Sequence, residues 1–546
     1  MSAAGRVCSP AVVGLMAGIT MIGLALRLPS FSDSMFGDEV STYFVVAGHG
    51  PAGILDHVRG PAEGTPPLYF LFTWVTQGLG DPAQGLRVPS LVAGVAMIPF
   101  TYFLGIRTVD RRAAGVGAAL VALSPLLILY SAEARAYMLM ALLALLSTLA
   151  LLRALESGGA SWWVCYAALA AGAALTHYSA VFVLVGQFGW AFLARPDARR
   201  RLVAASLLAG VLFLPWVDGF LDDRDAPAAV LIDVLRPFGA GSALTDTGHW
   251  AFGGPGVDIR VPPSTIGSPV PLSSLPGVTA LVLISCGLGL ALLGAGRELK
   301  AHREVNARWR PESSVSLVLA LAFASPLGAA LVSSVSDSVY LPRNLIASWP
   351  AFALAVGALL GAGRGIYALA ATALVLSGFA LGAVKLLDPD NRRPDYNAAA
   401  EFIEKRGSDT HVVEVPMPFP GPQTSLEAAV AAAGREGAEP PVTPLGWPSL
   451  AQRRAMLAPD GPGPFAKVTR LTPAEVARGI RPFARDRGLI LVRPGSEPFE
   501  TVAGDPESDL DEFLAALPPG FVLDEARTFP GYGGVTVYVL RDSTSG

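Results

Sequence analysis

Long apolar runs separated by short polar loops dominate the first two thirds of the chain. A helix that crosses the hydrocarbon core of a bilayer needs roughly 20 apolar residues. The pattern predicts an all-α, polytopic membrane bundle of about eleven spanning helices. The predicted spans are 11–28, 86–106, 113–129, 136–152, 162–176, 178–194, 202–221, 276–295, 314–335, 344–360 and 366–387.

Lysine and arginine residues in the short loops predict the orientation of this bundle. They cluster in loops that all fall on one side of the predicted spans, and the positive-inside rule assigns those loops to the cytoplasm. The opposite side is expected to be the outer face. It receives a first outer loop of about 31–84, a large outer loop of about 222–275, and everything after residue 387.

Composition supports a membrane location and excludes two classes of function. The chain is 52% hydrophobic and only 15% charged, with a formal net charge of -4. No basic block is long enough to follow a phosphate backbone, so nucleic acid is not expected as a partner. The 3 cysteines lie far apart, which argues against a disulfide framework or a zinc knuckle. Arginine greatly outnumbers lysine, which is typical of GC-rich bacteria, and a bacterial inner membrane is the expected location.

The composition changes near residue 388, where an acidic and less apolar segment begins. We therefore predict a transmembrane domain over 1–387 and an extracytoplasmic, soluble α/β domain over 388–546. A capping-box pattern at Thr472 to Glu475 predicts a helix start in the second domain. Helical patterns are found at 396–406 and 510–517, and strand patterns at 411–415, 489–492 and 535–540.

The first outer loop carries an acidic pair, Asp38 and Glu39. Asp33 or Ser34 can cap a helix that lies flat at the membrane interface, which would put the pair in its first turn. By position alone, the simplest interpretation is complementarity to the helix dipole. Further along the loop, two prolines at 66–67 predict the rigid start of a second interfacial helix that reaches about residue 78.

Other polar residues gather where predicted spans meet the outer face. Because polar groups at membrane depth are costly, such residues are candidates for function. Glu133 and Arg135 lie two positions apart, and a simple ion pair between them is one alternative. The remaining candidates are Tyr69, Arg87, Tyr137, His177 and Arg343.

The order of these motifs resembles the GT-C glycosyltransferases of the protein O-mannosyltransferase and lipid A aminoarabinose transferase type. The resemblance covers most of residues 11–387, and position 344 is Asn where the family usually has an aromatic residue. In that family the first-loop acidic pair lies at the catalytic centre. The motifs are Asp38-Glu39, Pro66-Pro67-Leu68-Tyr69, and the segments at 86–90, 130–137, 176–178 and 342–345.

The resemblance implies transfer of a sugar from a polyprenyl-phosphate donor to a glycan, lipid or protein acceptor at the outer face. Asp38, with Glu39 beside it, would act as general base, and a direct attack by the acceptor would invert the anomeric centre. Arginines match the geometry of a departing phosphate. The expected phosphate-binding residues are Arg135 and Arg343, with Arg87 behind them; Glu133, Tyr137, Tyr69 and His177 are expected to support the site.

Three alternatives remain open at this stage. A transporter or flippase of lipid-linked saccharides would also need many helices and phosphate-binding arginines, although its polar groups usually lie near the bilayer midplane. A membrane scaffold for the outer domain would need only one span. His177 is either structural or a ligand of a divalent metal together with a first-loop carboxylate; no cofactor is certain.

Overall fold

The computed structural model confirms a mostly helical chain with a small sheet near its C-terminus. It describes residues 9–60, 63–224, 237–253, 272–301, 314–363, 365–406, 411–415, 424–433, 442–445, 473–480, 482, 489–494, 514–517, 521–531 and 534–542. Before the sheet, the helices are α1 (Pro10–Arg27), α2 (Asp38–Val46), α3 (Pro51–Val58), α4 (Leu68–Thr76), α5 (Pro82–Thr108), α6 (Arg111–Leu123), α7 (Pro125–Ser131), α8 (Tyr137–Ser157), α9 (Ala160–Thr176), α10 (Ala180–Ala194), α11 (Arg199–Phe213), α12 (Val217–Arg224), α13 (Ala240–Phe252), α14 (Val278–Ala301), α15 (Ser314–Ser333), α16 (Trp349–Ala362), α17 (Ile366–Lys385) and α18 (Tyr396–Glu404).

Eight helices within the described ranges are long and apolar enough to cross a membrane, or nine if the bent pair α6 and α7 is one span. Two shorter apolar helices, α9 and α10, lie between them. The multi-pass architecture is therefore confirmed, while the number of about eleven spans stays a prediction. The eight are Pro10–Arg27, Pro82–Thr108, Tyr137–Ser157, Pro196–Asp223, Leu275–Arg297, Ser314–Ser333, Pro342–Ala362 and Ile366–Lys385.

The bend between α6 and α7 positions the turn that leads into α8. Pro125 has no backbone N–H and disfavours a helical conformation at the residue before it. Ser124 is accordingly extended, and its side chain accepts a hydrogen bond from the N–H of Leu127. The two helices meet at 57°. The chain therefore ends α7 at Ser131 and makes a turn over 132–136, which lies at the candidate site.

The first outer loop contains the helices α2, α3 and α4. The predicted N-cap at Asp33 or Ser34 is wrong, because α2 begins after Gly37, whose φ of 57° is in the region that favours glycine. Ser34 instead accepts a hydrogen bond from the N–H of Asn397, at 2.8 Å, and Asp33 forms an ion pair with Arg392. Both residues thus connect the loop to the chain that follows α17, the last of the candidate spanning helices.

The C-terminal part, predicted to be a soluble domain, contains a mixed five-stranded sheet in the order β2-β1-β3-β5-β4. Strands β1, β2 and β3 are parallel, whereas β5 is antiparallel to β3 and to β4. Three predicted strands and the helix at 396–406 are found, while β2, β4 and α19 were not predicted. Residues 472 and 510–513 lie outside the described residues. The strands are β1 (His411–Glu414), β2 (Val442–Pro444), β3 (Leu489–Pro494), β4 (Phe521–Phe529) and β5 (Val535–Asp542), and the remaining helices are α19 (Ser425–Ala433) and α20 (Pro473–Ile480).

Candidate active site

A fully buried ion pair joins α2 to the start of α5. The Nε and Nη2 of Arg87 donate to the two carboxylate oxygens of Glu39, at 2.8 and 2.7 Å. Its other N–H groups donate to the carbonyl oxygens of Phe31, Asp33 and Ser34. All N–H donors of Arg87 are therefore occupied by protein oxygens. Arg87, predicted to bind the donor phosphate, has no donor left for a phosphate in this geometry.

Glu39 also fixes the turn over 132–136. Its Oε1 accepts a hydrogen bond from the N–H of Ala134, at 2.7 Å, while Thr42 donates to the carbonyl of the same residue, at 2.9 Å. Burial raises the pKa of Glu39, but nearby arginines and this N–H outweigh burial and hold that pKa below its usual value. The carboxylate is charged and buried, and both of its oxygens accept hydrogen bonds from the protein. These contacts indicate a structural role for Glu39.

Arg135 extends from this turn and pairs with a residue that the sequence did not indicate. Its Nη1 and Nη2 donate to the carboxylate of Glu63, at 2.8 and 2.9 Å, in a bidentate pair. The alternative of a pair between Arg135 and Glu133 is therefore not what the structure shows. The Nε of Arg135 is buried and has no hydrogen-bond partner among the described residues.

Asp38 pairs with Arg343 across 305 positions of sequence. The Nη1 of Arg343 lies 3.1 Å from Oδ2 of Asp38, and the two side chains are 23% and 47% exposed. Enclosure by protein raises the pKa of Asp38, but the charges of Arg343 and Arg135 outweigh it and lower that pKa below its usual value. Asp38 is thus an ionised carboxylate that opens towards solvent, in contrast to the buried Glu39.

An aromatic ring lies beside the arginine of this pair. The guanidinium of Arg343 lies over the ring of Tyr137, 5.8 Å from its centroid. The same ring packs against Tyr130 and His177, at centroid distances of 5.3 and 5.1 Å. Tyr137 is itself buried. Tyr130 and His177 thus support the ring on which the guanidinium of Arg343 lies.

His177 and Tyr69 have structural contacts. The Nδ1 of His177 lies 2.9 Å from the hydroxyl of Ser179, and burial together with the charges of Arg135 and Arg343 lowers the pKa of His177 to about 3. In the part of the chain that the structure describes, no three His, Cys, Asp or Glu side chains form a metal site. Tyr69 is buried, and its hydroxyl contacts Ser90, at 2.9 Å.

Glu133 lies in the turn over 132–136 and is close to both acidic and basic side chains. Its Oε2 is 3.6 Å from Nη2 of Arg393, and its side chain is 16% exposed. Burial is the largest effect on its pKa; the carboxylates of Glu39 and Asp38 also raise the pKa, and Arg393 lowers it. The result is a pKa of about 7. Glu133 therefore gains or loses its proton near neutral pH.

Comparison with known proteins agrees with this architecture. A family model described as dolichyl-phosphate-mannose-protein mannosyltransferase matches residues 64–217. The structure of ArnT from Cupriavidus metallidurans bound to undecaprenyl phosphate has a TM-score of 0.52 at 14% sequence identity, over 97% of this chain and 98% of that chain. The chain has the fold of the GT-C glycosyltransferases.

Two further solved structures are also similar to this chain. The apo structure of the same ArnT has a TM-score of 0.51 at 14% identity, with the same coverage. AglB from Archaeoglobus fulgidus, in complex with an inhibitory peptide and a dolichol-phosphate, has a TM-score of 0.46 at 12% identity, over 88% of this chain and 69% of that chain. The sequence matches none of the curated proteins with which it was compared. The family model includes Arg87, Glu133 and Arg135 but begins after the acidic pair.

Three charged residues of the site were missed by sequence reasoning. Glu63 precedes the two prolines of the first loop, and Arg392 and Arg393 follow α17. The only signal for the arginines was a basic dipeptide on the predicted outer face. Arg393 lies 3.4 Å from Glu39, and Arg392 pairs with Asp33. Because these pairs join distant parts of the sequence, local patterns could not reveal them.

Proposed function

We propose that the protein is an integral-membrane glycosyltransferase that transfers a sugar from a polyprenyl-phosphate donor to an acceptor at the outer face of the membrane, with inversion. The observation that carries the proposal is the solvent-exposed pair of Asp38 and Arg343, above a buried cluster of ion pairs. In a GT-C fold, such a carboxylate would serve as general base and such an arginine as phosphate ligand. The undecaprenyl phosphate bound to ArnT supports the class of donor.

The donor phosphate would be bound by Arg343 and by the Nε of Arg135. Arg343 belongs to the most exposed ion pair of the cluster, so a phosphate can replace Asp38 as its partner without dismantling a buried pair. The buried Nε of Arg135 would gain the hydrogen-bond acceptor that it lacks among the described residues. We assign Arg87 to the support of Glu39, since its donors are already occupied.

Donor binding would also activate Asp38. In the structure, the charge of Arg343 lowers the pKa of Asp38 and makes it a weak base. A phosphate on Arg343 would neutralise that charge, so the pKa of Asp38 would rise towards a value suited to proton transfer. Asp38 would therefore become a stronger base only when the lipid-linked sugar is bound.

The transfer step then balances as a direct displacement. The acceptor hydroxyl loses its proton to a carboxylate oxygen of Asp38 while its oxygen forms a bond to C1 of the sugar. The bond between C1 and the phosphate oxygen breaks, and its electron pair stays on the polyprenyl phosphate. The leaving phosphate gains one negative charge, which Arg343 and Arg135 stabilise. One displacement at C1 inverts its configuration.

A transfer assay tests the proposed function. The purified protein is given radiolabelled polyprenyl-phosphate sugars with crude envelope acceptors, and labelled product and released polyprenyl phosphate are measured. We expect both products in equal amounts, because one bond is exchanged for another. In reconstituted vesicles, movement of the lipid-linked sugar across the bilayer without transfer would instead support the alternative of a transporter or flippase.

A further inference from the structure

The linker that follows α17 and leads to α18, residues 386–395, enters the candidate site. Arg393, in this linker, donates from Nη1 to the carbonyl of Ala132, at 2.8 Å. Its Nε lies 3.4 Å from Glu39, and its Nη2 lies 3.6 Å from Glu133. The Arg393 side chain is only 10% exposed. One guanidinium thus contacts a backbone group of the turn over 132–136 and two carboxylates of the site.

The same linker is fixed to the sheet of the soluble domain. The N–H of Asp395 donates to the carbonyl of Pro530, at 3.0 Å, beside the hairpin between β4 and β5. A Cβ atom at Gly531 would lie 2.4 Å from the carbonyl oxygen of Arg393, so the hairpin and the linker pack with no space between them. A displacement of the sheet would therefore be transmitted to Arg393.

The first outer loop also packs against the linker and the sheet domain. Phe36 packs against Tyr396, with ring centroids 6.3 Å apart, and belongs to the hydrophobic core of the soluble domain. Phe36 lies two positions before Asp38. The linker, the sheet and the segment that leads to the acidic pair consequently form one packed unit.

We propose that Arg393 is a positioning residue of the active site, through which the soluble domain controls the turn over 132–136 and the protonation of Glu133. For its effect on sugar transfer, this inference rests on the proposed function. Its structural part, the control of Glu133, is independent of that function. Arg393 would act through its contacts with Glu133 and the turn, without contacting the reacting atoms.

The charges around Glu133 give the sign of the expected effect. Arg393 lowers the pKa of Glu133, so its removal must raise that pKa. The neighbouring acidic groups stay in place and cannot replace the lost positive charge. Among the residues that the structure describes, the ionisable groups that interact electrostatically with Glu133 are Arg393, Glu39, Asp38, Arg343, Tyr130 and Tyr137.

The test compares Arg393→Gln and Arg393→Lys with Arg406→Gln in the full-length protein. Arg406 is in the same soluble domain, and its ion pair with Glu525 is exposed. The first readout is the infrared absorption of the protonated Glu133 carboxyl as a function of pH, assigned by its loss in Glu133→Gln. We expect Glu133 to titrate at higher pH in Arg393→Gln than in the wild type, at an intermediate pH in Arg393→Lys, and unchanged in Arg406→Gln.

The second readout separates kcat from the donor KM in the transfer assay. Because a displaced turn misaligns Arg135, which binds the donor phosphate and stabilises the leaving phosphate, the donor KM should rise and kcat should fall in Arg393→Gln, with kcat/KM about tenfold to hundredfold lower. Arg393→Lys keeps the charge and should recover part of kcat, and it provides the comparison should the Gln variant not fold.

The outcomes distinguish the two proposals. An unchanged titration of Glu133 in folded Arg393→Gln overturns the role of Arg393. If the Gln variant does not fold, a wild-type titration together with wild-type transfer kinetics in Arg393→Lys overturns it. A shifted titration with wild-type kcat also overturns it, because the turn would then not control transfer. A shifted titration in a protein whose wild type transfers no sugar means that the proposed function fails while the control of Glu133 by the linker is supported.

Discussion

At the scale of single residues, neighbouring carboxylates have opposite environments. Asp38 is 47% exposed and contacts one arginine, whereas Glu39 is buried and contacts Arg87, Arg393 and the N–H of Ala134. Successive residues of a helix point about 100° apart, so one faces the solvent and the other faces the protein. The resemblance to the GT-C family predicted a functional acidic pair, but the sequence could not show that the two carboxylates have different environments, because those environments depend on tertiary partners.

Replacement of Arg343 tests phosphate binding. In Arg343→Ala, kcat/KM for the lipid-linked sugar should fall by on the order of 10²–10³. This is the loss expected when an enzyme lacks one hydrogen-bond donor that stabilises a developing negative charge. Lys should restore little, because it lacks the planar fork of hydrogen-bond donors. Transfer kinetics at several donor concentrations measure the loss, with Arg406→Ala as the control. Wild-type kinetics in folded Arg343→Ala would remove this residue from the site.

Replacement of Arg87 tests its assignment as a structural residue. Arg87→Ala leaves a buried carboxylate short of its main partner, and removal of one member of such a pair costs about 3–5 kcal/mol. We expect a lower unfolding temperature in detergent and a lower yield of membrane protein. The double variant Arg87→Met with Glu39→Gln should be less destabilised than Arg87→Ala. A folded Arg87→Ala variant with only a raised donor KM would instead support phosphate binding.

At the scale of elements, the turn over 132–136 is held by several distant parts of the chain. Ser90 donates to the carbonyl of Arg135, at 3.0 Å, and Thr42 and Glu39 bind the backbone of Ala134. The sequence predicted the helices on both sides of this turn and the candidate residues within it. It could not predict the partners Glu63 and Arg393, because each contact joins elements far apart in sequence.

A close approach between helices gives a prediction for this turn. A Cβ atom at Gly94, in α5, would lie 2.0 Å from the hydroxyl oxygen of Ser131, at the end of α7. Gly94→Ala should therefore displace α7 and lower the free energy of unfolding by about 1–3 kcal/mol. Gly115→Ala, in α6, is the matched control, since a Cβ there meets nothing within 4 Å. Unfolding temperatures and transfer rates should both fall in the first variant alone.

At the scale of the whole molecule, the helical bundle and the C-terminal part that contains the sheet meet at a cluster of buried charges. Arg392 and Arg393 connect the linker to the first outer loop and to the turn over 132–136. Long apolar runs predicted the helical bundle, and short strand-like patterns predicted part of the sheet. The junction between them depends on specific long-range ion pairs, for which a single sequence contains no periodic signal.

The raised pKa of Glu133 predicts how overall stability depends on pH. The native pKa is about 7 against an ordinary value of 4.5, so between these values the folded state holds a proton that the unfolded state has lost. The contribution of Glu133 to stability therefore decreases as pH rises from about 4.5 to about 7. Unfolding temperatures across this range should fall more steeply in the wild type than in Glu133→Gln. Parallel curves would contradict the assignment.

The most direct test of the central claim is the rate of sugar transfer by Asp38→Asn in the purified protein. The amide keeps the shape of the side chain but cannot accept the proton of the acceptor hydroxyl, so the rate should fall by about two to four orders of magnitude while the protein stays folded. Glu39→Gln, in the same assay and with its folded fraction measured, is the comparison. Full transfer by Asp38→Asn together with loss of transfer by folded Glu39→Gln would contradict the account.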